Sequence, residues 1–172
     1  MSTASSWCRW GLIEDFNALP AAGAEEQLYS MFANDGWAKR VAAGRPYRDL
    51  DSLLSAAESA WADLKPGDWL EAFKAHPRIG EGGGHAPATS EREQSGVRQA
   101  SARTLAALAA ENRAYEARFG HVFLIAARGR SAEEILRALR QRMSNDPFRE
   151  IEVAAAEQRK ITRMRLIERL QG

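Results

Sequence analysis

The stretch from Asn145 to Leu170 constrains the fold more than any other part of the chain. Asn145-Asp146-Pro147 is the chemistry of a helix start, a capping side chain followed by a ring whose missing N–H costs nothing in the first turn. No proline or glycine then interrupts the chain before Gly172, and Ile151, Ala154, Ala155, Gln158, Ile161, Thr162 and Leu166 recur at helical spacing on one arc. A helix this long with a single apolar stripe must pack against other elements to be stable. The strongest apolar patterns elsewhere repeat at the same intervals, alanine is abundant and the 172 residues include only six prolines. An all-α fold is therefore expected, a helical bundle in one domain over 1–172, with 1–11 as a loosely ordered N-terminus.

Further helices are expected over Ala24–Phe32, Gly36–Ala43 and Ser52–Leu64, the last capped by Asp51, with a first helical turn over Leu12–Phe16. Pro66-Gly67-Asp68 turns the chain into a short helix over Asp68–Ala75, and Pro77 ends it at His76. The glycine-rich segment from Gly80 to Pro87 has the composition of a mobile loop. A long helix is expected from Ser90 to about Ala117, with Val97, Thr104, Leu108 and Tyr115 on its core face. The continuous apolar run Phe119–Ala127 reads equally as a buried strand-like segment or a buried helix, and Ser131-x-x-Glu134 opens a helix to Met143.

Charge excludes several classes of function. Basic and acidic residues number 24 and 23, so no global field recruits nucleic acid or an anionic membrane. The lone Cys8 cannot form an internal disulfide, and no Cys/His spacing suits a structural zinc, so no metal is expected. Met1–Leu12 lacks the apolar core of a signal peptide, no stretch approaches membrane-spanning length, and the C-terminus is not a Ser-Lys-Leu address. The expectation is a soluble cytoplasmic protein.

Three places carry residues suited to chemistry. His76 ends a helix on which Trp69 and Phe73 share its side, so the imidazole faces partly inward. A helix C-terminus favours its charged form and burial opposes it, which suits an acid-base group, although a structural histidine reads the same way on spacing. In Ser90-x-x-Glu93-Gln94 the serine and glutamate form a capping box, yet Glu93 projects near Val97 and hence toward the core face. Arg165 falls inside the C-terminal arc, where it needs either an internal carboxylate or a bound anion. Arg159, Lys160, Arg163 and Arg169 lie elsewhere on that helix and read as solvated charges, with Glu150, Glu152, Glu157 and Glu168 interrupting them. The five tryptophans read as core, and Gly80–Gly84 lacks the ending of a phosphate loop.

Taken in order, His76-Pro77-Arg78-Ile79-Gly80, Ser90-x-x-Glu93-Gln94, Phe123-Leu124-Ile125-Ala126-Ala127-Arg128-Gly129, Asn145-Asp146-Pro147 and Lys160-Ile161 followed by Arg165-Leu166 resemble the 2-oxo-4-hydroxy-4-carboxy-5-ureidoimidazoline (OHCU) decarboxylases, over roughly Ile13 to Leu170. The chain departs from that pattern at His121-Val122 and in the Gly82-Gly83-Gly84 loop. The resemblance implies an all-α bundle that dimerises and a site without metal or organic cofactor. It implies His76, Glu93 and Arg165 as catalytic residues, with Pro77, Ser90, Gln94 and the backbone of Phe123, Leu124, Ile125, Ala126 and Ala127 binding a ureidoimidazoline substrate. The implied activity is its decarboxylation to (S)-allantoin. Two other readings stay open on the residues: a hydrolase of a related ureide using the same histidine and glutamate, and a non-enzymatic helical binding module.

Overall fold

The computed structural model describes residues 13–80 and 92–171, which contain helices and no strand. The expectations about 1–11, the Gly82–Gly84 loop and Ser90 lie outside the described residues. The α-helices are α1 (Ile13–Ala18), α2 (Ala21–Met31), α3 (Asp35–Ala43), α4 (Leu50–Ala62), α5 (Pro66–Phe73), α6 (Ala102–Phe119), α7 (Ala132–Arg142) and α8 (Pro147–Leu170).

Local chemistry explains most starts. Asp146 caps α8, accepting the Phe148 N–H at 2.9 Å ahead of Pro147. Ser131 and Glu134 form the expected reciprocal box at α7. The cap of α4 is Asp49 and not Asp51: the Asp49 carboxylate takes the Ser52 N–H at 2.8 Å, so the helix begins earlier and Asp51 sits within its first turn.

The long helix from Ser90 to Ala117 does not form as one piece. Arg92 and Glu93 are helical, but Ser95–Gln99 tighten into a 3-10 turn, Ala100 is extended, and α6 starts afresh with Ser101 accepting the Thr104 N–H at 3.1 Å. Gly96 marks the break: a Cβ there would lie 2.5 Å from the Arg130 carbonyl oxygen, so the turn docks backbone to backbone against the loop before α7. Leu108 and Tyr115 are buried on α6 and Val97 on the turn, whereas Thr104 is only half-buried. The turn after α6 is closed by Gly120 at φ 78°, a left-handed cap that favours glycine.

α2 packs on α3, α3 on α4, and α8 lies against α2, α4 and α5, while α6 and α7 pair with each other. One apolar cluster fills the first group, with Phe16, Leu28, Trp37, Leu53 and Phe73 at its centre and Leu166 contributed by α8. A second gathers Leu108, Tyr115, Ile135 and Leu139 between α6 and α7.

The run between α6 and α7 is neither helix nor ladder. Leu124 is buried in the first cluster with Val122 packed against it, whereas Phe123, Ile125 and Ala127 belong to the second. The segment thus alternates with period two and presents both faces to apolar surroundings, which is why its sequence is continuously hydrophobic. Lacking a neighbouring strand, its backbone groups are met by side chains. Arg142 Nη1 donates to the Leu124 oxygen at 2.5 Å, Arg130 Nε donates to the Ala126 oxygen at 3.1 Å, and the Ala126 N–H donates to Glu157 at 2.8 Å.

Two glutamates read from the sequence as solvated are therefore inside. Glu150 is wholly buried, accepting from Arg142 Nε at 2.7 Å, from Asn145 Nδ2 at 2.7 Å and from the Tyr115 hydroxyl. Burial, together with the Glu150 carboxylate, pushes the Tyr115 phenol well above its ordinary range. The arc of α8 is otherwise as the spacing predicts: Ala154, Ala155, Gln158, Ile161, Thr162, Arg165 and Leu166 are buried and Ile151 partly so.

Candidate active site

His76 follows α5 directly, its N–H bonded to the Phe73 carbonyl at 3.1 Å in a final turn that Pro77 prevents from continuing. The ring is half-buried and reaches α8, where Nε2 donates to Gln158 Oε1 at 2.6 Å. The direction of that bond follows from the next one. The Thr162 hydroxyl donates to the Gln158 carbonyl at 3.0 Å, so it is left to accept from the Gln158 amide nitrogen at 3.2 Å. This turns Oε1, which can only accept, toward the imidazole, so Nε2 carries a hydrogen.

Arg165 comes from the same face of α8 about two turns further on. Its Nε and Nη2 grip Glu93 side by side at 2.8 and 3.1 Å, while Nη1 donates to the Met31 carbonyl at 3.0 Å, among the end carbonyls of α2. Both side chains are largely buried, 7% and 13% exposed. The internal carboxylate that an inward arginine requires is thus Glu93 itself. The break at Gln94 means that Glu93 reaches this position without the continuous helix expected for it.

His76 and Glu93 line one cleft together with Ile161 of α8. Pro77, Ile79 and Gln94 form one side, and Gln94 also accepts the Gly80 N–H at 2.8 Å, tying the turn after His76 to the turn after Glu93. Phe123, Leu124, Ile125 and Ala127 form the opposite wall. Ala126, expected among the binding residues, does not line the cleft, because its N–H is turned to Glu157. Arg165 stands behind Glu93.

Sequence reasoning missed four supporting residues: Gln158, Thr162, Glu157 and Arg142. The first two lay on the recognised arc without a role. Burial opposes ionisation of Glu157, but the Ala126 amide and the Lys160 ammonium at 2.6 Å outweigh it and hold the carboxyl below its ordinary range. The sequence alone places Glu157 among the acidic residues that interrupt the solvated charges of that helix. Among the described residues no group of three or more metal-ligating side chains is gathered together, and no helix is long and apolar enough to cross a membrane.

A helical fold that sets a histidine and a guanidinium-held carboxylate in one apolar-walled cleft has the groups needed for proton transfer on a small polar molecule. The chain belongs to the OHCU decarboxylase family, whose model matches residues 17–167. It is 35% identical over 136 residues to the uric acid degradation bifunctional protein TTL of Arabidopsis thaliana, covering 76% of this chain and 42% of that one. It is 26% identical over 165 residues to the 2-oxo-4-hydroxy-4-carboxy-5-ureidoimidazoline decarboxylase of Haloferax volcanii, covering 91% and 95%. The chain therefore spans less than half of the bifunctional plant relative and nearly all of the archaeal one. A solved OHCU decarboxylase structure in the presence of (S)-allantoin superposes with a TM-score of 0.73 at 33% identity, over 83% of this chain and 96% of that one.

Proposed function

We propose that the protein decarboxylates OHCU to (S)-allantoin and CO2 in urate breakdown, as a cofactor-independent carboxy-lyase. The convergence of His76 and Glu93 in one cleft, with Arg165 holding Glu93, carries this reading. Departure of CO2 leaves an electron pair on the ring carbon, and the substrate's own neighbouring C=N bond accepts it, so the protein need not supply an electron sink. The nitrogen that receives the pair takes up a proton, the ring hydroxyl gives up its own to become a carbonyl, and the carbon bearing the ureido group gains one on a single face. His76 transfers protons in this sequence, its ring held by Gln158. Glu93, oriented by two bonds from Arg165, accepts N–H groups of the ureido arm and ring, while the guanidinium balances the anionic charge. Pro77, Ser90, Gln94 and the backbone of Phe123, Leu124, Ile125 and Ala127 complete the substrate site. The same reading takes the enzyme as a cytoplasmic homodimer that binds neither nucleic acid nor membrane.

Freshly generated OHCU given to the protein should yield CO2 and optical rotation of (S)-allantoin well above the spontaneous rate, unchanged by chelators. Ring opening without CO2 would instead make it a ureide hydrolase, and activity lost to a chelator and restored by a metal would overturn cofactor independence.

A further inference from the structure

The wall formed by residues 123–127 is an unpaired extended segment between two apolar clusters, and such a segment has no ladder to fix its position along its own axis. Two buried ionic side chains do that instead. Arg142 holds the Leu124 oxygen at 2.5 Å, and Glu157, which does not line the cleft, holds the Ala126 N–H at 2.8 Å. Glu157 also precedes Gln158, the residue that fixes the His76 ring, on the same turn of α8. One rigid turn of helix therefore carries the references for the acid-base group and for the opposing wall.

We propose that Glu157 is a positioning residue for the reaction: by accepting the Ala126 amide it sets the register in which the backbone around Ile125 and Ala127 meets the substrate. This rests on the decarboxylase reading. Glu157 acts through the wall and does not touch substrate. What matters is the reach of its acceptor oxygen and not its charge, since an amide oxygen at the same place can accept the same N–H.

The test compares Glu157→Asp, which keeps the charge and shortens the arm by one methylene, with Glu157→Gln, which keeps the reach and removes the charge. Both are assayed with OHCU well below their unfolding midpoints. Glu157→Asp should raise KM by about tenfold with a smaller change in kcat, the scale expected when a binding surface is displaced by an ångström or less, and Glu157→Gln should stay within about threefold of wild type. In the substrate-free protein the amide resonances of Ile125 and Ala127 should move in Glu157→Asp and hold in Glu157→Gln. Wild-type KM or unmoved resonances in folded Glu157→Asp, or equal damage in both variants, would overturn the role. Turnover by the wild type separates the two claims: its absence sinks the decarboxylase reading and this role with it, whereas normal wild-type turnover with an unshifted KM in Glu157→Asp sinks the role alone.

Discussion

His76 occupies the position where a structural and a chemical histidine differ most in consequence. Its Nε2 is engaged by Gln158, a contact that an asparagine can partly replace, but asparagine cannot exchange a proton near neutral pH. His76→Asn should keep the denaturation midpoint close to wild type while slowing decarboxylation by at least about a hundredfold. A folded variant with wild-type rate would make the imidazole structural. Arg165 poses the complementary question, because its partner is a residue of the site. Arg165→Met leaves the Glu93 carboxylate largely buried beside an apolar side chain, and should cost about 3 to 5 kcal/mol in denaturant unfolding. Arg165→Lys keeps the charge but not the two-pronged grip, so its rate should fall much more than its stability. Arg163→Met, on the exposed side of α8, serves as control and should change neither. Loss of turnover in that variant with both Arg165 variants active would move the arginine's role to Arg163.

Helices announce themselves through their ends, and one slip of the sequence reading lies at such an end. Asp49 and Asp51 both suit a cap, and only the backbone decides which reaches the Ser52 N–H. The Ser52 hydroxyl and amide, with the Arg48 guanidinium, push the Asp49 carboxyl down to about 2 from its ordinary 3.8. A group depressed in the folded state stabilises above its unfolded value and loses that contribution as pH falls through its folded one. Replacing Asp49 by alanine should therefore lower the urea midpoint at pH 6, and the gap to wild type should close between pH 3.8 and about 2. A gap unchanged by acid would remove the ionised cap from the account of α4. The arc of α8 was legible because one face of a long helix repeats many times. The break at Gln94–Ala100 was not, because it is enforced by a contact with Arg130, far along the chain. Arg142 and Glu157 were hidden for a related reason: each answers a backbone group of an irregular segment, and periodicity carries no trace of such a need.

At the scale of the molecule, two apolar clusters share a single extended wall, and the cleft opens along it. Leu124 is 3% exposed and anchors that wall in the first cluster while its neighbours sit in the second. Leu124→Ala should cost about 2 to 5 kcal/mol in urea unfolding, the range for a truncated core leucine. A cost under about 1 kcal/mol would mean that the wall is not held from that side. Gly96, three residues beyond Glu93, lies against the Arg130 carbonyl with no space for a methyl group. Gly96→Ala should thus leave most of the hydrophobic interior intact yet reduce decarboxylation, read as a fall in kcat/KM at a temperature where the variant is folded. The spacing between the segment after Glu93 and the loop before α7 is set main chain against main chain. That spacing then belongs to the skeleton, and no exchange of side chains around it would open the gap.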